Sequence, residues 1–484
     1  MSGVASAVLA TRLPSAGTLA AGAAVALVAI AALVAVMRRH RHAFPMLAVF
    51  ALPFRLPISS GGRTVNLLIP LYLVIAAGTL SYLLPRLLGR ARTGERPPIR
   101  VREGLSLRGS SWVSPRSVEA LLLAAVVLYA LQTLYSGDRG KAAENLAFFY
   151  VPFTLLFVIM RDVRWTGALL ARCLGVAVTL AVLFAGVGFV EYYRKSLFLN
   201  PKIVAANDYD NYFRVNSVFF DPSIYGRFLA LVMIALMAVV LTRRAAHDRA
   251  RRREVAAGGA VLVWLLAGLV TSFSQSSIAA LVLGLAVLGG WCWGVRRAVY
   301  ASVAALVVAG LLVALAPASL HLGLKGSGGS ANNATNGRGD LVSGGLELFA
   351  KRPLEGYGSG SFETEYKSHG KADAATAVSA SHTIPVTIAA EQGLLGLALY
   401  VALLVAAFIV LFRGAGRSPP RIAVAACFAA LVLHTWTYAD FLEDPSTWLL
   451  LAIGLALARG DALAPREPPA SAAALGAGAP ASSF

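Results

Sequence analysis

The sequence predicts an all-α membrane protein, a polytopic bundle of about 12–13 transmembrane helices with a partly helical extracytoplasmic cap loop. Of its 484 residues, 57% are hydrophobic and only 14% are charged, and the mean hydropathy is +0.69. Soluble domains carry about 25% charged residues, so this deficit indicates lipid. The apolar residues form runs of roughly 18 or more, enough to cross about 30 Å of hydrocarbon as a helix. These runs lack the alternation of barrel strands, so we expect every span to be helical.

The apolar runs predict thirteen spans, or twelve if the segment that contains Pro45 and Pro53 does not cross. They lie near residues 16–37, 43–59, 65–85, 117–136, 145–160, 166–190, 224–242, 256–273, 277–295, 298–316, 384–412, 421–437 and 446–458. The arginine clusters between these runs then all fall on one side, which the positive-inside rule identifies as the cytoplasm. We therefore expect a multi-pass protein of the inner (plasma) membrane whose active site faces the extracytoplasmic, periplasmic side.

The same runs divide the chain into membrane and loop regions. We expect N-terminal spans (1–190), a first long extracytoplasmic loop (191–223), central spans (224–316), a large extracytoplasmic loop (317–383), C-terminal spans (384–463) and a disordered cytoplasmic tail (464–484). The net charge of +19 does not indicate a nucleic-acid partner, because the arginines form short clusters and no basic stripe interleaves with aromatic residues. Membrane lipids are the expected surroundings.

The large loop carries the signals of a folded cap. Its acidic and basic residues balance, unlike those of the cytoplasmic loops. Asp340 is the expected N-cap of a short helix, Val342, Leu346 and Phe349 recur at helical spacing, and Pro353 ends the pattern.

Arg338 and His382 are the residues of this loop best suited to catalysis. The planar guanidinium of an arginine matches phosphate oxygens, and a histidine can take a proton near neutral pH. Pro385 suits the first turn of a helix, so His382 is expected just before the positive helix end, which favours the neutral ring. The alternatives are that Arg338 only stabilises the loop and that His382 is a surface histidine.

Other residues offer weaker indications. Gly356, Gly358 and Gly360 have the spacing of a nucleotide fingerprint, but neither a preceding strand nor a Walker lysine accompanies them, so we expect no nucleotide. Asp208-Tyr-Asp210 could hold a divalent metal, a motif too common to assign one. Glu391 lies deep in a predicted span, where an ionisable residue is functional by default unless it is paired with an arginine.

Two further pairs flank the predicted spans. Arg214 and Arg227 border the span that follows the first long loop and could face the same cavity as Arg338. Asp440 and Asp444 lie at the outer end of the last hairpin, where we expect them to be solvated.

Taken together, these residues resemble the O-antigen ligase/polymerase superfamily, which comprises WaaL-like ligases and Wzy-like polymerases. The resemblance runs from about residue 214 to residue 396 and is densest from 338 onward. It rests on an arginine, a short helix, a Pro-x-x-Gly-x-Gly turn, a histidine and a Glu-x-Gly-Leu-x-Gly helix start. These are matched here by Arg338, by Pro353–Phe362, by His382 and by Glu391–Gly396.

The resemblance implies a glycosyltransferase. Such proteins move a glycan from an undecaprenyl-diphosphate carrier to an acceptor hydroxyl on a glycan or lipid, such as lipid A-core, with neither nucleotide nor metal and with no other cofactor. His382 would be the base, and Arg338 would bind the leaving diphosphate. Arg214, Arg227, Gln275, Tyr357 and Glu391 are assigned to binding of the diphosphate or the glycan.

This chain departs from the family pattern at two positions. Gln275 stands where relatives often carry an arginine, so Arg214 or Arg227 would have to supply that charge, and Thr383 stands where an asparagine is common. An O-antigen ligase is the first expectation. A Wzy-like polymerase is the alternative within the class, and a secondary transporter is the alternative outside it.

Overall fold

The computed structural model describes residues 16–40, 42–60, 63–93, 113–198, 213–243, 249–300, 303, 338–370, 381 and 383–463. The elements up to residue 194 are α1 (Ala16–Arg39), α2 (Ala43–Ala51), β1 (Leu56–Ser60), β2 (Arg63–Leu67), α3 (Ile69–Gly78), α4 (Leu84–Thr93), α5 (Pro115–Gln132), α6 (Arg139–Asn145), α7 (Val151–Arg161) and α8 (Gly167–Arg194). Two π-helical turns, Thr79–Leu83 and Leu146–Tyr150, join α3 to α4 and α6 to α7.

The remaining elements form the second half of the bundle and the cap. They are α9 (Pro222–Arg243), α10 (Arg249–Thr271), α11 (Gln275–Trp293), α12 (Arg338–Lys351), α13 (Phe362–Ser368), α14 (Ile384–Phe412), α15 (Pro419–Thr437) and α16 (Pro445–Leu463). A 3-10 turn, Ala415–Arg417, connects α14 to α15.

Ten helices within the described residues are long and apolar enough to cross a membrane, and a shorter apolar helix covers Pro445–Gly460. This confirms the predicted fold class, a polytopic helical membrane bundle. Most of the span predicted at 298–316, and the whole tail 464–484, lie outside the described residues.

The segment predicted as a span at 43–59 is not a single helix, and it is not among the candidate membrane-crossing helices of the described residues. Helix α2 has only nine residues and ends before Pro53, and an antiparallel hairpin follows in which Leu56 pairs with Leu67. At one end of this segment, Phe44 packs on Tyr82, whose hydroxyl donates to the Met37 carbonyl. The physical reason is proline, which cannot donate a helical hydrogen bond and restricts the residue before it.

Helix α15 lies at the centre of the bundle and joins its two hydrophobic cores. Phe428 and Val432 pack in a core built mainly from α1–α7, α14 and α16. Cys427 and Ala430 pack in a second core built mainly from α8–α11. Small residues along α15 let neighbouring helices approach closely, which favours helix association in lipid.

Candidate active site

The two ends of the bundle carry different chemistry. At one end, here called the arginine end, Arg86 pairs with Asp162 at 2.8 Å and Arg161 pairs with Glu119 at 2.9 Å. The other end, here called the loop end, gathers the connections 133–138, 213–221, 272–274, 352–361 and 438–444. Of the described residues that the sequence assigned to a site, Arg214, Gln275 and Tyr357 lie in or beside these connections, and the Arg227 side chain contacts the connection 438–444.

A glycine-rich turn, residues 353–361, is docked tightly at the loop end. Gly356, Gly358 and Gly360 have φ values of 67°, 95° and 73°, a region that favours glycine. A Cβ atom on Gly356 would collide with the backbone carbonyl of Glu391, and one on Gly358 would collide with the backbone of Ser136. The spacing that resembles a nucleotide fingerprint therefore reflects close backbone packing.

Glu391 holds this turn from inside α14. One carboxylate oxygen accepts the Gly360 N–H at 2.9 Å and the other accepts the Phe362 N–H at 3.0 Å. The Glu391 carbonyl accepts the Gly358 N–H at 2.7 Å. Helix α14 is interrupted at Gly393, whose φ is 63°, and the next amide, that of Leu394, donates to the Pro353 carbonyl at 2.7 Å. The structure thus engages Glu391 with backbone amides and not with the arginine that the sequence suggested.

Tyr357 occupies the middle of the turn and is buried. Its amide donates to the Ala390 carbonyl at 3.2 Å, and its carbonyl accepts the Gly137 amide at 3.1 Å. The Arg352 guanidinium lies 4.5 Å from the centre of its ring. In the described geometry Tyr357 fixes the turn between α5–α6 and α14, and its ring belongs to the small core of the cap with Phe362.

Helix α12 confirms the predicted helix in the cap and runs beside the first turns of α14. Asp340 lies in its first turn and is not its N-cap, because the helix begins at Arg338. Gly345 packs against Val386, and farther along, Pro353 meets Leu394. The members of each pair are 41 residues apart in the sequence, so the two segments run parallel to each other with a constant offset.

The same offset sets Val342, one turn after Arg338, level with Thr383, the residue that precedes α14. His382, the neighbour of Thr383 in the sequence, lies outside the described residues, as do Asp208 and Asp210. Of Arg338, the structure describes the backbone at the start of α12.

Arg214 lies close to the turn that precedes Gln275. Its Nε donates to the Ser272 carbonyl at 3.3 Å, and Val215 N–H donates to Thr271. Ser274 caps α11, and Gln275, the first residue of that helix, is exposed. The structure therefore brings Arg214 next to the turn that presents Gln275.

Arg227 has a different environment. Its side chain is 3% exposed and pairs at 2.7 Å with Asp444, which is 5% exposed. It also donates to the Ala439 carbonyl at 3.3 Å. The expectation that Asp444 is solvated is wrong, because the connection 438–444 folds over the start of α9. A buried pair of this kind keeps two charges out of water and depends on both partners.

The connection 438–444, here called the acidic loop, was not assigned to the site from sequence. Its Glu443 accepts a hydrogen bond from Asn145 Nδ2 at 3.1 Å. Burial, followed by the negative charge of Asp440, raises the pKa of Glu443 to about 8. Burial also raises the pKa of Asp440, against the lowering effect of Arg227 and Arg55. The sequence signal that could have found this loop is a group of three carboxylates, Asp440, Glu443 and Asp444, within five residues of an otherwise apolar region.

His434 in α15 was also missed. It is fully buried, and its Nε2 lies 3.1 Å from the Ser277 hydroxyl and 3.4 Å from the Ser276 hydroxyl. An ionisable residue in a predicted span was the signal that could have found it. Among the described residues, no three His, Cys, Asp or Glu side chains come together to hold a metal ion.

A comparison with known protein families finds a match that includes part of this site. No curated protein matches the chain significantly. The family model described as O-antigen ligase matches residues 260–401, less than half of the chain. The match covers Gln275, the cap and the first half of α14, and excludes Arg214 and Arg227. Over residues 260–401 the chain is therefore similar to the O-antigen ligase family, which confirms the resemblance of this multi-pass membrane protein to the O-antigen ligase/polymerase superfamily.

Proposed function

We propose that the chain transfers a glycan from an undecaprenyl-diphosphate carrier to an acceptor hydroxyl on the extracytoplasmic face of the plasma membrane, as an O-antigen ligase does. The family match supports a glycosyltransferase-like enzyme of O-antigen processing. The choice of ligase, of donor and of membrane face is ours. The membrane face follows from the segregation of arginines to one end of the bundle, and the ligase activity and the donor follow from the sequence resemblance.

The observation that carries this proposal is the parallel packing of α12 against α14 within the matched region. The offset between the two helices sets Val342, one turn after Arg338, level with Thr383. Because His382 is next to Thr383 in the sequence, we infer that Arg338 and His382 act on the same substrate. Such rigid elements hold catalytic groups at a constant separation.

The reaction is a nucleophilic substitution at the anomeric carbon. The acceptor oxygen forms the new glycosidic bond while the bond from the anomeric carbon to the diphosphate oxygen breaks. His382 takes the proton of the acceptor hydroxyl, and the bonding electrons leave with the diphosphate. Arg338 stabilises that departing negative charge, with Arg214 beside the Gln275 turn as the nearest second cation on sequence grounds.

A polymerase of the same superfamily is the alternative within the class, and it differs only in its acceptor, a second carrier-linked glycan. A transporter is less well supported. Transporters concentrate discontinuous helices and charges near the membrane midplane, whereas the connections described here gather at the loop end.

The test is replacement of Arg338 in cells that depend on the chain. Loss of the gene should leave glycan on its carrier, and the wild-type gene should restore transfer. Arg338→Lys keeps the charge but loses the planar fork, so we expect at least roughly a tenfold loss of transfer at normal membrane abundance. His382→Ala should act likewise, while Arg39→Lys at the arginine end is the matched control.

Chromatography of the accumulated carrier-linked glycan separates the alternatives. Long chains on the carrier support a ligase, and single repeat units support a polymerase. Wild-type transfer by both Arg338→Lys and His382→Ala would contradict the proposed chemistry.

A further inference from the structure

A recess opens at the loop end where three segments of different parts of the chain meet. The recess is shallow and open to the outside, and its walls come from residues 52–55 after α2, from the start of α9 and from the junction of the acidic loop with α16. One wall is apolar and includes Phe219, Ile224 and Phe228. The polar part is formed by two arginines, Arg55 and Arg227, with Asp444 and Ser446.

The two arginines are not equivalent. Arg227 is neutralised by its buried pair with Asp444. Arg55 is half-buried, and within the described part of the chain no side chain or carbonyl forms a hydrogen bond or ion pair with it. The recess thus holds one cation, Arg55, that has no close acceptor among the described residues.

The nearby carboxylates offset the Arg55 charge only in part. Asp440 and Glu443 are near enough for their charges to interact with Arg55. Glu443 has a pKa of about 8 and is mostly neutral at pH 7. The negative charge of Asp440 interacts with both Arg227 and Arg55. Asp444 is held by Arg227 and by the Ser446 amide at 2.7 Å. A partly desolvated cation without a close counterion attracts an anion.

We propose that Arg55 is a substrate-binding residue that contacts the diphosphate of a polyprenyl-diphosphate donor, whose first isoprene units lie along the apolar wall. This inference rests on the proposed function and adds a residue to it. Arg55 supplies a cation in addition to Arg338 and Arg214, from a distant part of the sequence. The adjoining apolar wall favours a lipid-linked anion over a free one, because water-soluble anions gain nothing from apolar contact.

The experiment measures binding to the full chain in lipid nanodiscs. The probes are geranylgeranyl diphosphate, geranylgeraniol and inorganic diphosphate. We expect Arg55→Gln to weaken binding of geranylgeranyl diphosphate by roughly tenfold or more and to leave binding of geranylgeraniol unchanged, since a charge-assisted contact is lost. Arg55→Lys keeps the charge without the fork and should weaken binding by roughly threefold. Arg39→Gln, an exposed position at the arginine end, is the matched control.

Each outcome decides a separate point. Unchanged affinity of Arg55→Gln for geranylgeranyl diphosphate overturns the role of Arg55 and leaves the proposed function intact. Failure of the wild-type chain to bind that lipid overturns the proposed donor itself. Equal affinity of the wild-type chain for inorganic diphosphate overturns the lipid assignment of the recess. If thermal unfolding shows that Arg55→Gln does not fold, Arg55→Lys decides, and wild-type affinity in that variant counts against the proposal.

Discussion

The glycine-rich turn and the acidic loop lie at the same end of the bundle and handle polar groups in opposite ways. In the turn, backbone amides of Gly358, Gly360 and Phe362 all donate to Glu391, and the tyrosine at its centre is bound on both sides. The acidic loop instead keeps several charges close together, with Arg55 lacking a close counterion among the described residues. The comparison teaches that the most recognisable motif of this chain is largely a scaffold.

The reason lies in what each region demands of its sequence. A turn that packs backbone against backbone requires glycine at given positions, so it leaves a recognisable pattern. A group of charges requires only that the right side chains meet in space, and residues far apart in the sequence can supply them. A sequence motif therefore predicts the glycine-rich turn, whereas the charged recess has no motif that predicts it.

The most severe test of the scaffold role is Gly393→Ala. Gly393 has a φ of 63°, and a Cβ there would collide with the Leu354 carbonyl. We expect a loss of about 3 kcal/mol or more in the free energy of unfolding, together with loss of transfer. Thermal unfolding in detergent measures the first. Gly175→Ala, on an exposed helix surface with no atom within 4 Å, is the control and should change stability by about 1 kcal/mol at most. Equal behaviour of the two variants would show that the turn is not docked as described.

A milder pair of substitutions compares the two regions directly. In Glu391→Gln, either orientation of the amide sets its NH₂ group against the N–H of Gly360 or Phe362, leaving a buried donor unsatisfied. We expect a cost of about 1–3 kcal/mol. Glu443→Gln should cost under about 1 kcal/mol at pH 7, because the wild-type carboxyl is mostly protonated there and the amide oxygen can still accept from Asn145. Denaturation of both variants at pH 7 checks the order, and the reverse order would invalidate the comparison.

The smallest expected effect is a change in the pH dependence of stability. The pKa of Glu443 in the folded chain, about 8, is above its ordinary value of 4.5. The folded state therefore binds this proton more tightly than the unfolded state does. The resulting stability is fully present below about pH 4.5 and is lost as the pH rises through 8. Glu443→Gln removes the titrating group, so its unfolding temperature should fall less than that of the wild type between pH 5 and pH 9. Parallel profiles would show that Glu443 is not held protonated.

Much of the bundle could be predicted because hydropathy and helix length are local properties. The span predicted at 384–412 is the helix Ile384–Phe412, and the span predicted at 166–190 lies within Gly167–Arg194. The segment with Pro45 and Pro53 was predicted to be either a span or a segment that does not cross. Its hairpin was not predicted, because strand pairing between Leu56 and Leu67 depends on the packing of α2 against α3 and α8 as well as on the prolines.

The candidate site was predictable in the same uneven way. The helix in the cap followed from spacing, and the depth of Glu391 followed from its position in a span. The hydrogen-bond partners of Glu391 could not be predicted, because they are backbone amides, which every residue except proline carries. The pairing of Arg227 with Asp444 was equally hidden, since it joins α9 to the acidic loop, which lies far away in the sequence.

The short helix α2 also has a consequence for how the protein is made. A nine-residue helix followed by extended backbone cannot satisfy its own peptide groups in lipid, so this segment needs protein around it. One of the helices that surrounds it, α8, is synthesised more than a hundred residues later. We therefore expect this part of the chain to reach its membrane position late, after α8 has been inserted, so that the recess it borders is completed during assembly and not during translation of the first spans.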